Sequence, residues 1–184
     1  MKIIEVPNPI LKQVSEPIKE IDKKILTFIQ ELEQTLINKK NPEGVGLSAP
    51  QIGKNIRIFT TWLDKGNGRE IKTYINPVIT KASAKLTLGP NPEKPYMEGC
   101  LSIPNIYGPV WRHQFLTLQY LTINKDTNAL ETQPSKFASF PARVIQHEFD
   151  HLEGILFTDR SLEQSLPLYQ EKNGDLVEIP LQPE

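Results

Sequence analysis

Two histidines and a glutamate lie within residues 146–154, and their spacing is suited to metal-assisted hydrolysis. His147 and His151 are four positions apart, so on a helix both imidazoles lie on one face and can bind one metal ion. Glu148 directly follows the first histidine and can move protons for a water activated by that ion. The alternative is a surface helix with two solvated histidines. The chain holds only three histidines, which argues against a chance pairing.

A third protein ligand is needed, because a catalytic metal typically takes three and leaves one position open for water. The candidates are Cys100, His113, and acids further along the chain such as Glu163 or Glu171. A zinc endopeptidase would use an acid after the helix, and Glu171 stands at a suitable separation. Glu171, however, adjoins the turn of a predicted hairpin, whereas a Cys100 thiolate suits a borderline metal. The residues favour a Cys-His-His site and leave the peptidase ligand set as an alternative.

Two helices are predicted, and the second carries the histidines. The first covers residues 22–39, where apolar residues recur at helical spacing, and residues 41–44 end it. The second covers residues 141–153, because Pro141 suits a first helical turn and Gly154 suits a helix end. Residues 1–20 contain three prolines and predict an extended arm with turns.

Runs of β-branched and aromatic residues between turns predict antiparallel strands. We expect strands at 57–62, 71–75, 78–79, 85–88, 110–112, 115–121 and 130–133, a break at residues 76–77 and a turn at 124–128. Residues 168–172 and 175–179 flank Asn173-Gly174, which is a strong hairpin signal. The fold class is therefore α+β, a central metal-binding helix packed against antiparallel β-sheets in a single domain, residues 1–184.

Composition excludes several kinds of protein. Lysine and arginine total 21 against 22 acids, so a net charge of −1 gives no general reason to bind DNA or anionic membranes. No apolar run is long enough to span a bilayer or to form a secretory signal. The single cysteine rules out an internal disulfide. We expect a cytoplasmic monomer that binds neither membranes nor DNA directly.

Three stretches together resemble the signature motifs of the peptide deformylase family. They are residues 44–51 (GVGLSAPQ), 98–102 (EGCLS) and 146–151 (QHEFDH), in the family's order and at compatible separations. The likeness runs from the first helix through Asp159. It departs from the family at Ser48, where alanine is usual, and at residues 139–141, where glycine followed by apolar residues is common. The C-terminal hairpin resembles the subclass of the family that ends in a strand.

The resemblance implies removal of the N-formyl group from the N-terminal methionine of newly synthesised proteins, through a metal-bound water or hydroxide. It implies three metal ligands, namely Cys100, His147 and His151, with Fe²⁺ as the expected ion and Zn²⁺, Ni²⁺ or Co²⁺ as substitutes. Glu148 would be the general acid/base, while the Gln51 amide and the backbone N–H of Leu101 would face the developing oxyanion. The implied partners are formyl-methionyl nascent peptides and, as a further partner, the ribosome near its exit tunnel.

Substrate-binding residues follow from the same motifs. Backbone groups of Val45 and Gly46 would pair with an extended peptide, and Gly99 is assigned to the same surface. Three residues precede His147 by seven, four and three positions and could line a pocket for the methionine side chain or belong to the core: Phe140, Arg143 and Val144.

Two acids near the motifs have alternative interpretations. Glu98 is either a surface acid or a residue that orients a metal ligand. Asp150 is either an ordinary helix charge or part of a buried pair with Arg112 or Arg143. A catalytically silent relative that binds ribosomes or peptides through the same groove is a further alternative. It is disfavoured because no motif residue is lost.

Overall fold

The helix that carries both histidines lies at the centre of an α+β fold in a computed structural model, which describes residues 1–91, 93–123 and 130–180. The described residues form three α-helices: α1 at Lys23–Asn38, α2 at Ser139–Leu152 and α3 at Phe157–Glu163. Short 3-10 turns lie at Pro9–Lys12 and Ala49–Ile52. The two predicted helices are confirmed to within two residues at each end, whereas α3 was not predicted.

The strands of the described residues form three sheets in which every pairing is antiparallel. In chain order they are β1 Gly46–Ser48, β2 Ile58–Asp64, β3 Arg69–Ala82, β4 Leu86–Thr87, β5 Met97–Cys100, β6 Ile103–Pro109, β7 Arg112–His113, β8 Phe115–Ile123, β9 Leu130–Ala138, β10 Leu168–Lys172 and β11 Asp175–Ile179. The five-stranded sheet has the order β1-β2-β3-β8-β9, the four-stranded sheet β11-β10-β6-β5, and β4 pairs with β7. The predicted fold class and C-terminal hairpin are confirmed.

Helix α1 closes one side of the five-stranded sheet. The Asp22 side chain caps it by accepting a hydrogen bond from the Ile25 N–H at 2.9 Å. Leu32 and Leu36 on its apolar stripe are fully buried against sheet residues such as Ile58. Each such leucine contributes roughly 2 kcal/mol of hydrophobic free energy. This packing fixes the sheet whose edge strand, β1, borders the site.

Helix α2 packs one face against the five-stranded sheet and carries the motif residues on the other. Ile145 and Leu152 are fully buried in a cluster with Phe59 and other residues of the five-stranded sheet. The opposite face carries the motif residues, which therefore stand on a rigidly packed element. The helix ends where Gly154 adopts a left-handed φ of +69°. A Cβ there would lie 2.5 Å from the carbonyl oxygen of Lys12, so a larger residue does not fit.

A third apolar cluster joins the N-terminal arm to the four-stranded sheet. Leu11 from the first 3-10 turn packs with Ile103 of β6, Phe157 of α3 and Leu168 of β10. Since β5 hydrogen-bonds to β6, this cluster fixes the position of the strand that carries Cys100.

Two predictions about the strands were wrong. The predicted break at Asn76-Pro77 is absent, because β3 continues through it with a shift of register against β8 between Ile75 and Val78. Asn76 has a φ of +47°, and its side chain bonds both backbone groups of Ile18. A β-bulge of this kind tolerates proline inside a strand.

The predicted strand at 110–112 is also wrong, since β6 ends at Pro109 and β7 begins at Arg112. The predicted turn at 124–128 lies outside the described residues. Among the described residues, no helix combines the length and apolar character that crossing a membrane requires.

Candidate active site

The side chains of Cys100, His147 and His151 converge where α2 passes the end of β5. One potential ligand atom from each lies within 4.8 Å of the other two, and Cys100 Sγ is 3.2 Å from His151 Nε2. One turn of helix separates the two imidazoles, whose ring centres are 5.1 Å apart. The third donor comes from a strand on the other side, so the cluster is made by the tertiary fold.

This donor set fits a metal ion. One thiolate and two imidazoles suit borderline ions such as Fe²⁺ and Zn²⁺. Ligand atoms around a tetrahedral zinc are separated by about 3.6 Å, so small shifts from the observed spacing suffice. His147 Nδ1 lies 3.0 Å from a Glu98 oxygen. Since that nitrogen is engaged, the His147 Nε2 is the atom left for a metal.

Glu98 anchors a buried network of charges behind the cluster. Arg112 donates to both Glu98 oxygens at 3.0 and 2.8 Å, and Arg143 donates to the same carboxylate at 2.7 Å. Arg112 also bonds Asp150 on α2, which in turn accepts from Arg160 of α3 at 2.8 Å. Glu98 is therefore not a surface acid, and the pair of Asp150 is made with Arg112.

The network sets the charge of its members. Burial alone would raise the pKa of Glu98, but Arg112 and then His147 hold that pKa well below the usual range. Burial would lower the pKa of His147, yet hydrogen bonds to Cys100 and Glu98 raise it well above the usual value. Burial and the nearby charge of His147 lower the pKa of His151. Glu98 is thus a carboxylate at neutral pH, and it lies beside the His147 imidazole.

Glu148 is a buried carboxyl group with an unusual environment. Only 3% of the residue is exposed, and its Oε2 has no hydrogen-bond partner among the described residues. Burial raises the pKa of Glu148 to about 7. Gly46 of β1 makes room for it, since a Cβ at that position would lie 2.2 Å from Oε1. A carboxyl with this pKa can exchange protons near neutral pH.

Gln51 reaches the cluster from the 3-10 turn that follows β1. Its Nε2 lies 3.3 Å from Cys100 Sγ and 3.2 Å from the Ser102 hydroxyl. Its Oε1 accepts from the backbone N–H of Ser48 at 2.8 Å and from the Ser48 hydroxyl at 3.0 Å. The amide therefore presents its donor end to the cluster. Ser48 and Ser102 were not predicted as site residues, although both lie within the motifs.

A cavity of about 390 Å³ opens onto the cluster. Of the predicted site residues, all but His151 line it: Val45, Gly46, Gln51, Gly99, Cys100, Leu101, Phe140, Arg143, Val144, His147 and Glu148. His151 is 1% exposed and lies behind them. The edge strands β1 and β5 both contribute residues to the lining, and β6 contributes lining residues that were not predicted.

The three residues predicted to line a methionine pocket all reach the cavity, but their surroundings differ. Phe140 is 41% exposed and meets Tyr96 edge-on, with ring centres 5.8 Å apart. Val144 is 5% exposed. The Arg143 guanidinium turns away to Glu98 and to the backbone oxygens of Val110 and Thr87, so only its stem is left for the pocket. Tyr96 also lines the cavity, but it was not predicted because it lies outside the three motifs.

The other candidate metal ligands lie elsewhere. His113 Nδ1 is 2.6 Å from the Ser83 backbone oxygen. Glu163 is an exposed residue of α3. Glu171 lies on the cavity rim, where it accepts from the Tyr107 hydroxyl at 3.1 Å, and it is not part of the converging cluster found among the described residues. The geometry therefore does not support an acid as the third ligand.

Comparisons with known proteins agree with one another. A family model described as polypeptide deformylase matches residues 1–166. The peptide deformylase of Treponema pallidum is 38% identical over 160 residues, which is 87% of each chain. The crystal structure of peptide deformylase from Thermotoga maritima is 31% identical, covers 86% of this chain and 95% of its own, and superposes with a TM-score of 0.70. The Arabidopsis thaliana deformylase 1B structure is 35% identical, covers 89% of this chain and 83% of its own, and gives a TM-score of 0.72.

Proposed function

Because the chain belongs to the peptide deformylase family, we propose that it hydrolyses the N-formyl group from the N-terminal methionine of newly synthesised proteins. One observation carries the proposal. Two members of a Cys-His-His cluster, a buried carboxyl group and a side-chain amide line one cavity, and two edge strands contribute to the same lining. Each group matches one requirement of amide hydrolysis. The whole chain, residues 1–184, would act as one catalytic domain.

Cys100, His147 and His151 would hold one divalent ion. We take Fe²⁺ as the ion in the cell because the resemblance to the family implies it, and Zn²⁺, Ni²⁺ and Co²⁺ as ions that the thiolate and two imidazoles could also hold. When bound, the ion supplies Lewis acidity, which acidifies a water and polarises the formyl carbonyl. Glu98 supports this arrangement by fixing the ring orientation of His147.

Glu148 would move the proton. A carboxylate can take a proton from the attacking water and then deliver it to the departing amine, which leaves a free methionine N-terminus. Its pKa of about 7 suits both halves of this task. Its Oε2 has no hydrogen-bond partner among the described residues, so this oxygen is free to accept a proton. A positioned acid/base of this kind typically contributes roughly 10²–10⁴-fold in rate.

The negative charge that develops on the formyl oxygen needs donors. The Gln51 Nε2 points toward the cluster, and the backbone N–H of Leu101 would be the second donor. Each such donor is worth about 3 kcal/mol of barrier. Gln51 carries no charge, so it can donate without opposing the ion.

An extended substrate would lie between β1 and β5. The Val45 carbonyl already accepts from the Trp62 N–H at 2.9 Å, so strand alternation turns the backbone groups of Gly46 toward the open edge. Gly99 of β5 also lines the cavity and would contact the same peptide. Phe140, Val144 and the stem of Arg143 would contact the methionine side chain. Hydrogen bonds to the main chain of the peptide do not depend on its side chains, so the site would accept the N-termini of many different proteins.

The decisive experiment is an anaerobic assay of the purified, metal-analysed protein on a formyl-methionyl tripeptide and its acetylated counterpart. We expect rapid release of formate from the first peptide and at least tenfold slower turnover of the second. Equal or absent turnover of both, with one ion bound per chain, would overturn the proposal. Activity that is lost in air but retained without oxygen would identify iron.

The ligand set has its own test. We expect Cys100→Ala to lose the metal and all activity, while Glu171→Ala retains both. Retained metal in Cys100→Ala would instead favour the peptidase arrangement. An unmodified peptide without a formyl group serves as the substrate control for both variants.

The cellular setting is proposed from the family. The enzyme would act in the cytoplasm as a monomer on formyl-methionyl nascent chains during N-terminal methionine processing, near the ribosomal exit tunnel. Size-exclusion chromatography tests the monomer, and co-sedimentation with translating ribosomes tests the docking. Binding to membranes or directly to DNA is not part of this proposal.

A further inference from the structure

We propose that Ser48 and Ser102 are positioning residues that hold the Gln51 amide with its N–H groups toward the metal centre. The proposal rests on the proposed deformylase function. Ser48 is one of the positions where the sequence departs from the family pattern that it resembles, and the sequence alone assigned its hydroxyl no role. The structure gives that hydroxyl a partner.

The orientation of the Gln51 amide follows from one backbone group. The Ser48 N–H lies 2.8 Å from one end of the amide. A backbone N–H can only donate, so the atom it meets must be the amide oxygen. The NH₂ end therefore faces Cys100 Sγ, 3.3 Å away. Rotating the amide by half a turn would place two donors against each other.

The Ser48 hydroxyl reinforces this orientation. It lies 3.0 Å from the same Gln51 oxygen and donates to it, so both lone pairs of that oxygen are used. Ser48 is 0% and Gln51 1% exposed, so water does not compete for these bonds. Bonds accepted by an amide oxygen polarise its N–H groups and strengthen them as donors. Alanine at position 48 would keep the backbone bond and lose the second one.

Ser102 acts on the other end of the amide. Its hydroxyl accepts from Gln51 Nε2 at 3.2 Å, and the residue is 0% exposed. Nε2 carries two protons, so one is held by Ser102 and the other is directed toward Cys100. The second proton is the one that would reach the oxyanion. The two serines thus fix both the identity and the direction of the donor.

A purely structural role makes a different prediction. Buried hydroxyls are normally hydrogen-bonded wherever they occur, and losing one lowers stability whether or not Gln51 is present. A positioning role acts through Gln51 and is lost with it. The dependence on Gln51 separates the two.

The test is a double-mutant cycle of Ser48→Ala and Gln51→Met on the metal-loaded enzyme, assayed with a formyl-methionyl tripeptide. A neutral hydrogen bond corresponds to about two- to tenfold in rate, so we expect Ser48→Ala to lower kcat three- to tenfold with KM within about twofold. In the Gln51→Met background the same change should alter kcat less than about twofold. Ser102→Ala serves as a second variant if Ser48→Ala does not fold.

Ser161→Ala is the matched control. Ser161 is also fully buried, its hydroxyl donates to the Pro109 carbonyl at 2.8 Å, and it does not line the cavity. We expect unchanged kcat in this variant. A loss as large as that of Ser48→Ala, or equal losses from Ser48→Ala in both backgrounds, would overturn the positioning role.

A second readout does not depend on turnover. In ¹⁵N-labelled protein, the Gln51 side-chain NH₂ signals, assigned by their absence in Gln51→Met, should move in Ser48→Ala and stay in place in Ser161→Ala. Unmoved signals in Ser48→Ala would also overturn the proposal. If the wild-type protein releases no formate, the proposed function fails, and the NH₂ signals still decide whether the serines orient Gln51.

Discussion

Replacing Gly46 with alanine would place a methyl group against the proposed acid/base. The added Cβ would lie 2.2 Å from Glu148 Oε1, 2.6 Å from Cδ and 2.8 Å from Cγ. The carboxylate must therefore move by roughly 1 Å to restore an ordinary contact of about 3.5 Å. A displacement of about 1 Å in a catalytic group can cost roughly 10²-fold. We expect kcat to fall about 100-fold, which is about 2.7 kcal/mol of barrier.

The assay compares kcat, KM and bound metal in Gly46→Ala and Gly44→Ala. Gly44 lies two positions before Gly46, but a Cβ there would meet only side-chain atoms of Leu36 and Leu101, the nearest at 2.8 and 3.1 Å. We expect it to lose less than about tenfold, because flexible leucine ends can move. Both variants should keep one ion per chain, since none of these contacts involves Cys100, His147 or His151.

Shortening the carboxylate tests the steric cause directly. Glu148→Asp removes one methylene and withdraws the group from the added methyl. It should therefore cost less in the Gly46→Ala background than in the wild-type background. Wild-type kcat in Gly46→Ala, or a loss of kcat that simply follows a loss of metal, would refute the reasoning.

Three further predictions concern neighbouring groups. Glu98→Gln removes the charge that pairs with two buried arginines, so it should lower the free energy of unfolding by about 3–5 kcal/mol in urea titrations. It should also reduce metal affinity about 10- to 100-fold. A change in the free energy of unfolding below about 1 kcal/mol would contradict a stabilising role of the charge network. In protein stripped of metal, the raised pKa of Glu148 means that the folded state holds this proton more tightly than the unfolded state does, so stability falls as pH rises from about 4.5 to about 7. Glu148→Gln should then be up to about 3 kcal/mol more stable than wild type near pH 8 and equal to it near pH 4, and equal stabilities at both pH values would show that the carboxyl titrates normally. Phe140→Ala should raise KM about fivefold with kcat within about twofold, whereas an unchanged KM would remove Phe140 from the methionine pocket.

The sequence predicts elements well where periodicity and capping agree. Helix α1 has both, with its apolar stripe and the Asp22 cap. Helix α2 has no side-chain cap at its start and was located from Pro141 and Gly154, and the bounds of both helices were predicted within two residues. The bulge at Asn76 was missed because its side chain is held by Ile18, a contact 58 positions away that no local pattern reveals. Strand β6 was missed because Pro104, Asn105 and Pro109 resemble a loop, although the strand pairs on both sides.

Some residues of the candidate site could likewise be predicted from local sequence, and others could not. The residues within motifs could be named because their chemistry is local to three short stretches. The cavity wall from β6, the rim residue Glu171 and the edge-on contact of Tyr96 with Phe140 depend on tertiary packing. Asp150 shows how far the sequence could predict: it indicated a buried ion pair, but only the structure identified Arg112, and not Arg143, as the partner.

Strands β1 and β5 are sheet edges of three and four residues, and among the described residues each has a strand partner on one side only. Exposed edges invite other folded copies to add a strand, which leads to aggregation. Residues of both edges here line one cavity of about 390 Å³, a volume on the scale of a few residues and not of a folded domain. Under the proposed function, this cavity would restrict the reaction to an early stage in the life of each substrate protein. An N-terminus could enter only while it is extended and unpaired, before its own protein has folded around it.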